Sequence, residues 1–195
     1  MAVLPIYVAP HPVLKKPAEP VAAVTDDIRA LIKDMFETMY ATRGIGLAAP
    51  QVGQSLRILV MDVEQTGDTA EGDDAEAAPA PLAPGKPIAV INPEIVWTSD
   101  ELNTYEEGCL SIPGQYAEVE RPEKVRVKFL DENGQAQEME ADGLLATCVQ
   151  HEIDHLDGVL FVDHLSTLKR DMLLRKLKKW ARENADDIKE SYILP

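Results

Sequence analysis

The sequence holds only two cysteines, Cys109 and Cys148, among its 195 residues. So few exclude a disulfide-stapled scaffold and leave two free thiols, each a core filler or a metal ligand. No apolar run approaches the roughly 20 residues that a membrane-spanning helix needs, so no membrane partner is expected. The segment Met1–Val8 lacks a basic n-region and a small-residue cleavage site, and the chain reads as cytoplasmic. Basic residues are scarce, 19 Lys and Arg against 34 Asp and Glu, and the net charge of −15 argues against a DNA partner. There is no internal repeat and no run of βαβ units. Gly44 and Gly46 lack the third glycine and the strand–turn–helix setting of a dinucleotide fingerprint, and read as a turn permitting close backbone approach.

What is present is ordinary for a globular chain: 45% apolar and 27% charged residues. One domain over residues 1–184 is expected, with 185–195 as a C-terminal tail. The charge is uneven. Residues 65–86 carry five acids and one base in a background of Ala, Pro and Gly, the composition of a disordered loop insertion. Residues 166–183 instead carry seven Lys and Arg against Asp171 and Glu183.

Thr25 followed by Asp26 and Asp27 reads as an N-cap with acids in the first turn. Ile28, Leu31, Ile32, Met35 and Met39 then repeat at helical spacing up to Gly44, which marks an N-terminal amphipathic helix. Residues 44–53 read as irregular. Residues 57–63 and 88–96 are strand-like and would form a hairpin with the acidic excursion at its tip. Residues 104–111 and 117–120 are shorter strand candidates. Residues 124–130 and 135–141 flank an Asn-Gly turn signal. Residues 144–156 and 166–184 form two further helices, the last with Leu165, Leu168, Met172, Leu173, Leu177 and Trp180 as its apolar stripe. The fold class is α+β, with antiparallel or mixed sheets packed around a central helix.

That helix carries the chemistry. His151, Glu152 and His155 form an HExxH pattern, which places both imidazoles one turn apart on one face. Two such nitrogens can ligate one divalent metal, and Glu152, about 100° around from His151, can serve as general base. A charged surface helix is the plain alternative. The neighbours Leu144, Leu145, Val149, Ile153 and Leu156 make the segment too apolar for that, and buried His and Glu need partners. A catalytic site keeps three protein ligands and one open position. Cys148 lies about 10 Å along the helix from His155 at about 1.5 Å per residue, too far for one ion, so it reads as a wall residue. Cys109, beside Gly108 at a strand end, remains as the third ligand.

Gly44-Ile-Gly-Leu-Ala-Ala-Pro-Gln51, Glu107-Gly-Cys-Leu-Ser111 and Gln150-His-Glu-Ile-Asp-His155 together resemble the three signature motifs of peptide deformylases, in the family's order. The resemblance extends from about residue 3 to 180. It implies a metal site of Cys109, His151 and His155, with Glu152 as catalytic acid/base. It also implies an oxyanion site made by the Gln51 side chain and the Leu110 N–H. The metal it implies is Fe2+, with Ni2+ or Co2+ also supporting activity, and the Cys/His/His set by itself suits Zn2+ or iron. The implied substrate is an N-formylmethionyl peptide, pairing as an added strand with the backbone at Ile45, Gly46 and Gly108. Ile45, Leu110, Leu144 and Cys148 would line the methionine pocket. The basic last helix resembles the bacterial type, in which it docks on the ribosome near the tunnel exit; a solvated face is the plainer reading of that charge. A zinc endopeptidase with the same HExxH is disfavoured because no third His or Glu follows at zincin spacing. A non-catalytic metal protein would leave Glu152 and Gln51 without purpose.

Overall fold

The computed structural model describes residues 2–66, 83–184 and 192–194. In chain order the elements are β1 (Ile6–Tyr7), α1 (Asp26–Ala41), β2 (Gly46–Ala48), β3 (Ile58–Met61), β4 (Ile88–Thr98), β5 (Leu102–Cys109), β6 (Ile112–Pro122), β7 (Lys124–Leu130), β8 (Ala136–Asp142), α2 (Gly143–Leu156), α3 (Thr167–Glu183) and β9 (Tyr192–Ile193). Five strands form an antiparallel sheet in the order β2-β3-β4-β7-β8, β5 and β6 form a separate hairpin, and β1 pairs in parallel with β9. Helices and mainly antiparallel sheets thus coexist, as the sequence pattern implied.

Strand β3 reads Ile58-Leu59-Val60-Met61 and is fully buried because both faces of its sheet are covered. Ile58 and Val60 join Ile32, Met35 and Met39 of α1 on one face. Leu59 and Met61 meet Val149, Ile153 and Leu156 of α2 on the other. A third cluster, under the β5–β6 hairpin, takes in Val8, Ile112, Val119, Phe161, Leu173 and Leu177. Helix α1 starts as its cap predicts, with Thr25 Oγ1 accepting from Ile28 N–H and both acids in the first turn.

Two expectations change. The segment expected to be irregular contains β2, three residues that gain their order by pairing with β3. The apolar stripe assigned to α3 is narrower: Leu173 and Leu177 are buried, whereas Leu168 is 77% exposed and Met172 43%. The helix rests on one edge of the third cluster, so only a narrow stripe reaches the core. Most of the acidic stretch, 67–82, lies outside the described residues. Its ends are fastened: Thr66 and Ala83 bridge, and the Asp62 carboxylate accepts from the N–H groups of Gly85 and Lys86 at 2.8 and 3.0 Å. Of the expected tail, residues 192–194 are described and lie beside β1.

Candidate metal centre

The three hydrophobic clusters meet at a cleft of about 450 Å³. Cys109 packs on the hairpin cluster, Leu110 on the α1 cluster and Cys148 on the α2 cluster. Cys109 is the last residue of β5, and Leu110-Ser111 make the turn into β6. The register jumps from Gly108↔Tyr116 to Cys109↔Ile112, so three extra residues bulge from β6 opposite the strand end. Such a bulge re-aims the side chain beside it. Here the thiol comes within 3.2 Å of His155 Nε2.

Among the described residues, Cys109, His151 and His155 form a cluster whose ligand atoms all lie within 4.8 Å of one another. One thiolate and two imidazoles in that space suit a divalent transition metal and leave a position open. The buried Oε2 of Glu152 has no hydrogen-bond partner among the described residues, and His155 turns its Nε2 towards Cys109. Buried polar atoms normally find partners, so this chain's donor set fits an ion with its water. Burial, with the His151 charge adding to it, holds His155 well below the usual histidine range and therefore neutral.

A buried polar network stands behind His151, and only its end members are HExxH residues. Glu107 Oε2 accepts from His151 Nδ1 at 2.8 Å, which leaves Nε2 free to ligate. Arg121 donates to both Glu107 oxygens, at 2.6 and 3.0 Å, and through Nη1 to Asp154 at 2.8 Å. Burial alone would push the Glu107 carboxyl up, but the bonds from His151 and Arg121 outweigh it and bring it to about 2. Burial would lower His151, yet its contacts with Cys109 and Glu107 raise it, so a metal held there would compete with a proton. Glu107 and Asp154 stand inside the motifs and were passed over in the sequence. Arg121 had no local signal: it lies on the neighbouring strand, opposite Asn103, and reaches Glu107 only with its long side chain.

Gln51 sits in the short helical turn after β2. Its Oε1 accepts from Ala48 N–H at 2.8 Å, which fixes the amide orientation. Its Nε2 therefore points at Ser111 Oγ, 3.2 Å, and Cys109 Sγ, 3.6 Å. Gly46 lies over Glu152: a Cβ there would stand 2.5 Å from Glu152 Oε1 and 2.9 Å from Cys148 Sγ. Ile45, Gly46, Gly108, Leu110, Leu144 and Cys148 all line the cleft. Tyr192 lines it too, brought from the far end of the chain by the β1–β9 pairing, and nothing in the sequence marked it.

A family profile described as polypeptide deformylase matches residues 3–171. The chain belongs to the peptide deformylase family. A peptide deformylase of Brucella suis biovar 1 (strain 1330) is 51% identical over 185 residues, covering 95% of this chain and 97% of the relative. One of Methylocella silvestris is 51% identical over 191 residues, covering 98% and 91%. Among solved structures, a peptide deformylase from Legionella pneumophila superposes with TM-score 0.80 at 47% identity, covering 95% of this chain and 99% of that one. The Ehrlichia chaffeensis peptide deformylase in complex with actinonin gives 0.81 at 44%, covering 93% and 99%. Deformylases are metal-dependent hydrolases that remove the N-formyl group from nascent peptides, and this chain is an enzyme of that family. No helix among the described residues is long and apolar enough to cross a membrane.

Proposed function

We propose that this chain hydrolyses the formamide of N-terminal formylmethionine to formate, with Cys109, His151 and His155 holding one divalent metal. Fe2+ follows from the family resemblance, and the donor set also accepts Zn2+, Ni2+ or Co2+. The observation that carries the reading is the convergence of the three ligand atoms within 4.8 Å beside a buried carboxylate with an unpartnered oxygen. When bound, the metal lowers the pKa of its water from 15.7 towards about 7 and polarises the carbonyl.

Glu152 holds and moves the proton. Burial pushes its carboxyl up to about 7, with the His151 charge pulling the other way. A carboxylate poised there accepts a proton from water and returns it to the leaving amine, a contribution of about 10²–10⁴-fold. The Gln51 amide and the Leu110 N–H at the hairpin turn are the proposed donors to the developing oxyanion. Gln51 supports this by pointing into the site with its orientation fixed at Ala48. Each such donor contributes on the order of 3–4 kcal/mol.

The substrate backbone would lie between two sheet edges. Asp62 N–H donates to Ile45 O at 2.9 Å, so by antiparallel alternation the Gly46 backbone groups point away from β3, along the free edge of β2. Strand β5, which carries Gly108, pairs only with β6 among the described residues. A strand added there places the methionine side chain towards Ile45, Leu110, Leu144 and Cys148. The test is formate release from formyl-Met-Ala-Ser by metal-replete protein and by Glu152→Gln. Activity in the first alone supports the reading, and activity in both or neither overturns it.

The exposed basic face of α3 is proposed as a ribosome-docking surface. Because Leu173 and Leu177 are buried, ending the chain at Ser166 would open the core at about 2–5 kcal/mol per leucine. Charge reversal of Lys169, Lys176 and Lys179 is the cleaner test. It should abolish cosedimentation with ribosomes and leave tripeptide turnover unchanged.

A further inference from the structure

We propose that His164 is a positioning residue for the metal ligand His151, acting through Asp154, Arg121 and Glu107. The proposal rests on the metal reading above. His164 ends a short helical turn, Phe161–His164, that follows α2, and its Nε2 donates to Asp154 Oδ2 at 2.7 Å. The same oxygen accepts from Arg121 Nη1 at 2.8 Å, Arg121 grips Glu107 through two nitrogens, and Glu107 accepts from His151 Nδ1 at 2.8 Å. The series runs from a side chain 37% exposed to one 9% exposed.

The same turn touches His151 a second way. The Phe161 ring stacks on the His151 ring, with centroids 6.2 Å apart and planes at 22°. Phe161 is buried, and Asp163 of the turn accepts from Leu160 N–H at 2.8 Å, which fixes the turn locally. One short turn therefore packs on the face of the ligand ring and, through four hydrogen-bonded groups, bears on its far nitrogen.

The series is not a proton wire. Arg121 stays protonated throughout, and burial beside two carboxylates does not change that. What passes along it is orientation. Asp154 holds one end of the guanidinium plane and Glu107 the other, so fixing Asp154 with a second donor fixes the plane and hence the carboxylate facing His151. A network whose members are hydrogen-bonded to one another in series is stiff.

The experiment uses full-length protein loaded with Co2+. Two quantities are read: the rate of metal loss to a chelator, and the visible absorption of the bound ion. Replacing a ligand's direct hydrogen-bond partner typically costs about 10–100-fold in metal affinity or activity. His164 lies further out, so His164→Leu is expected to speed metal loss by about three- to tenfold and to shift the absorption band. His164→Gln, whose amide N–H can still donate to Asp154, should restore both. In a Glu107→Gln background, His164→Leu should add nothing, because the path is already cut. Should His164→Leu not fold, Asp154→Asn is read in its place. An unchanged rate and band, whatever happens to thermal stability, overturns the proposal. So does failure of His164→Gln to restore them, or an undiminished effect in the Glu107→Gln background. Wild-type protein that binds no stoichiometric Co2+ overturns the metal reading itself, a distinguishable result.

Discussion

Two buried carboxylates stand at helix α2, one packed against it and one on it, and their surroundings drive their pKa values apart. On the hairpin side, Glu107 is 5% exposed and accepts from His151 and from Arg121 with both oxygens, which brings it to about 2. Within α2, Glu152 is 4% exposed, has an oxygen with no partner among the described residues, and is pushed by burial up to about 7. Burial is nearly equal, so burial does not decide the role. The number of donors does. A carboxylate saturated with donors holds other groups in place, and one left unsaturated is available for proton transfer.

Breaking the unsaturated member should have the largest effect. Glu152→Gln is expected to lower kcat by about 10²–10⁴-fold while metal analysis still finds one equivalent bound. A variant that kept more than about a tenth of wild-type turnover would remove Glu152 from the chemistry. Breaking the saturated member should act differently. Glu107→Gln leaves Arg121 buried with a weakened partner and His151 without its anionic acceptor. Metal loss to a chelator should accelerate by about 10–100-fold, with a lower melting temperature. If Glu107→Gln instead abolished turnover with metal retention and stability untouched, the contrast between the two sides would fail.

A smaller intrusion sharpens the same contrast from above. Gly46→Ala would put its Cβ 2.5 Å from Glu152 Oε1, whereas Gly44→Ala would meet the flexible end of Leu110 at 2.7 Å. The first change displaces the Glu152 carboxylate and the second a methyl group that can rotate away. We expect Gly46→Ala to lower kcat about tenfold and Gly44→Ala to alter KM more than kcat, measured on one formylated tripeptide. Equal kcat losses in the two would mean that the close approach over Glu152 is not what requires glycine at position 46.

How much of this could be read in the chain follows from the range of each interaction. His151 and His155 are one helical turn apart, so their shared face is fixed by backbone geometry alone. Cys109 was reachable by elimination, because Cys148 on the same helix is too distant for a shared ion. Glu107–Arg121 was not legible: the two lie on different strands, 14 residues apart, and are not even cross-strand partners, since Glu107 pairs with Ala117 and Arg121 with Asn103. The three residues of β2 were read as irregular because glycines and Pro50 flank them, and only pairing with β3 makes a strand of them. Periodicity named Leu168 and Met172 as core residues of α3, but it cannot show how wide a stripe the neighbouring cluster will cover.

The same rule should hold for a buried carboxylate that does not line the cleft. Asp62 is 1% exposed and accepts from Tyr40 Oη, from Glu64 N–H and from the N–H groups of Gly85 and Lys86. Burial raises its carboxyl, but those four donors together outweigh it and hold it below its ordinary 3.8. Its folded-state pKa is depressed, so its ionised form stabilises the protein above pH 3.8, and that contribution is lost as pH falls through the lower folded value. Asp62→Asn should therefore destabilise the chain at neutral pH and flatten the acid limb of its stability curve below pH 3.8, as followed by chemical denaturation at a series of pH values. The backbone N–H of residue 62, which donates to Ile45 O, is kept in the variant, so KM and kcat on the formylated tripeptide should change little. A fall in kcat as large as that from Gly46→Ala would mean that this carboxylate, though saturated with donors, bears on the proton-transfer side of the cleft, and donor count would no longer separate the two roles.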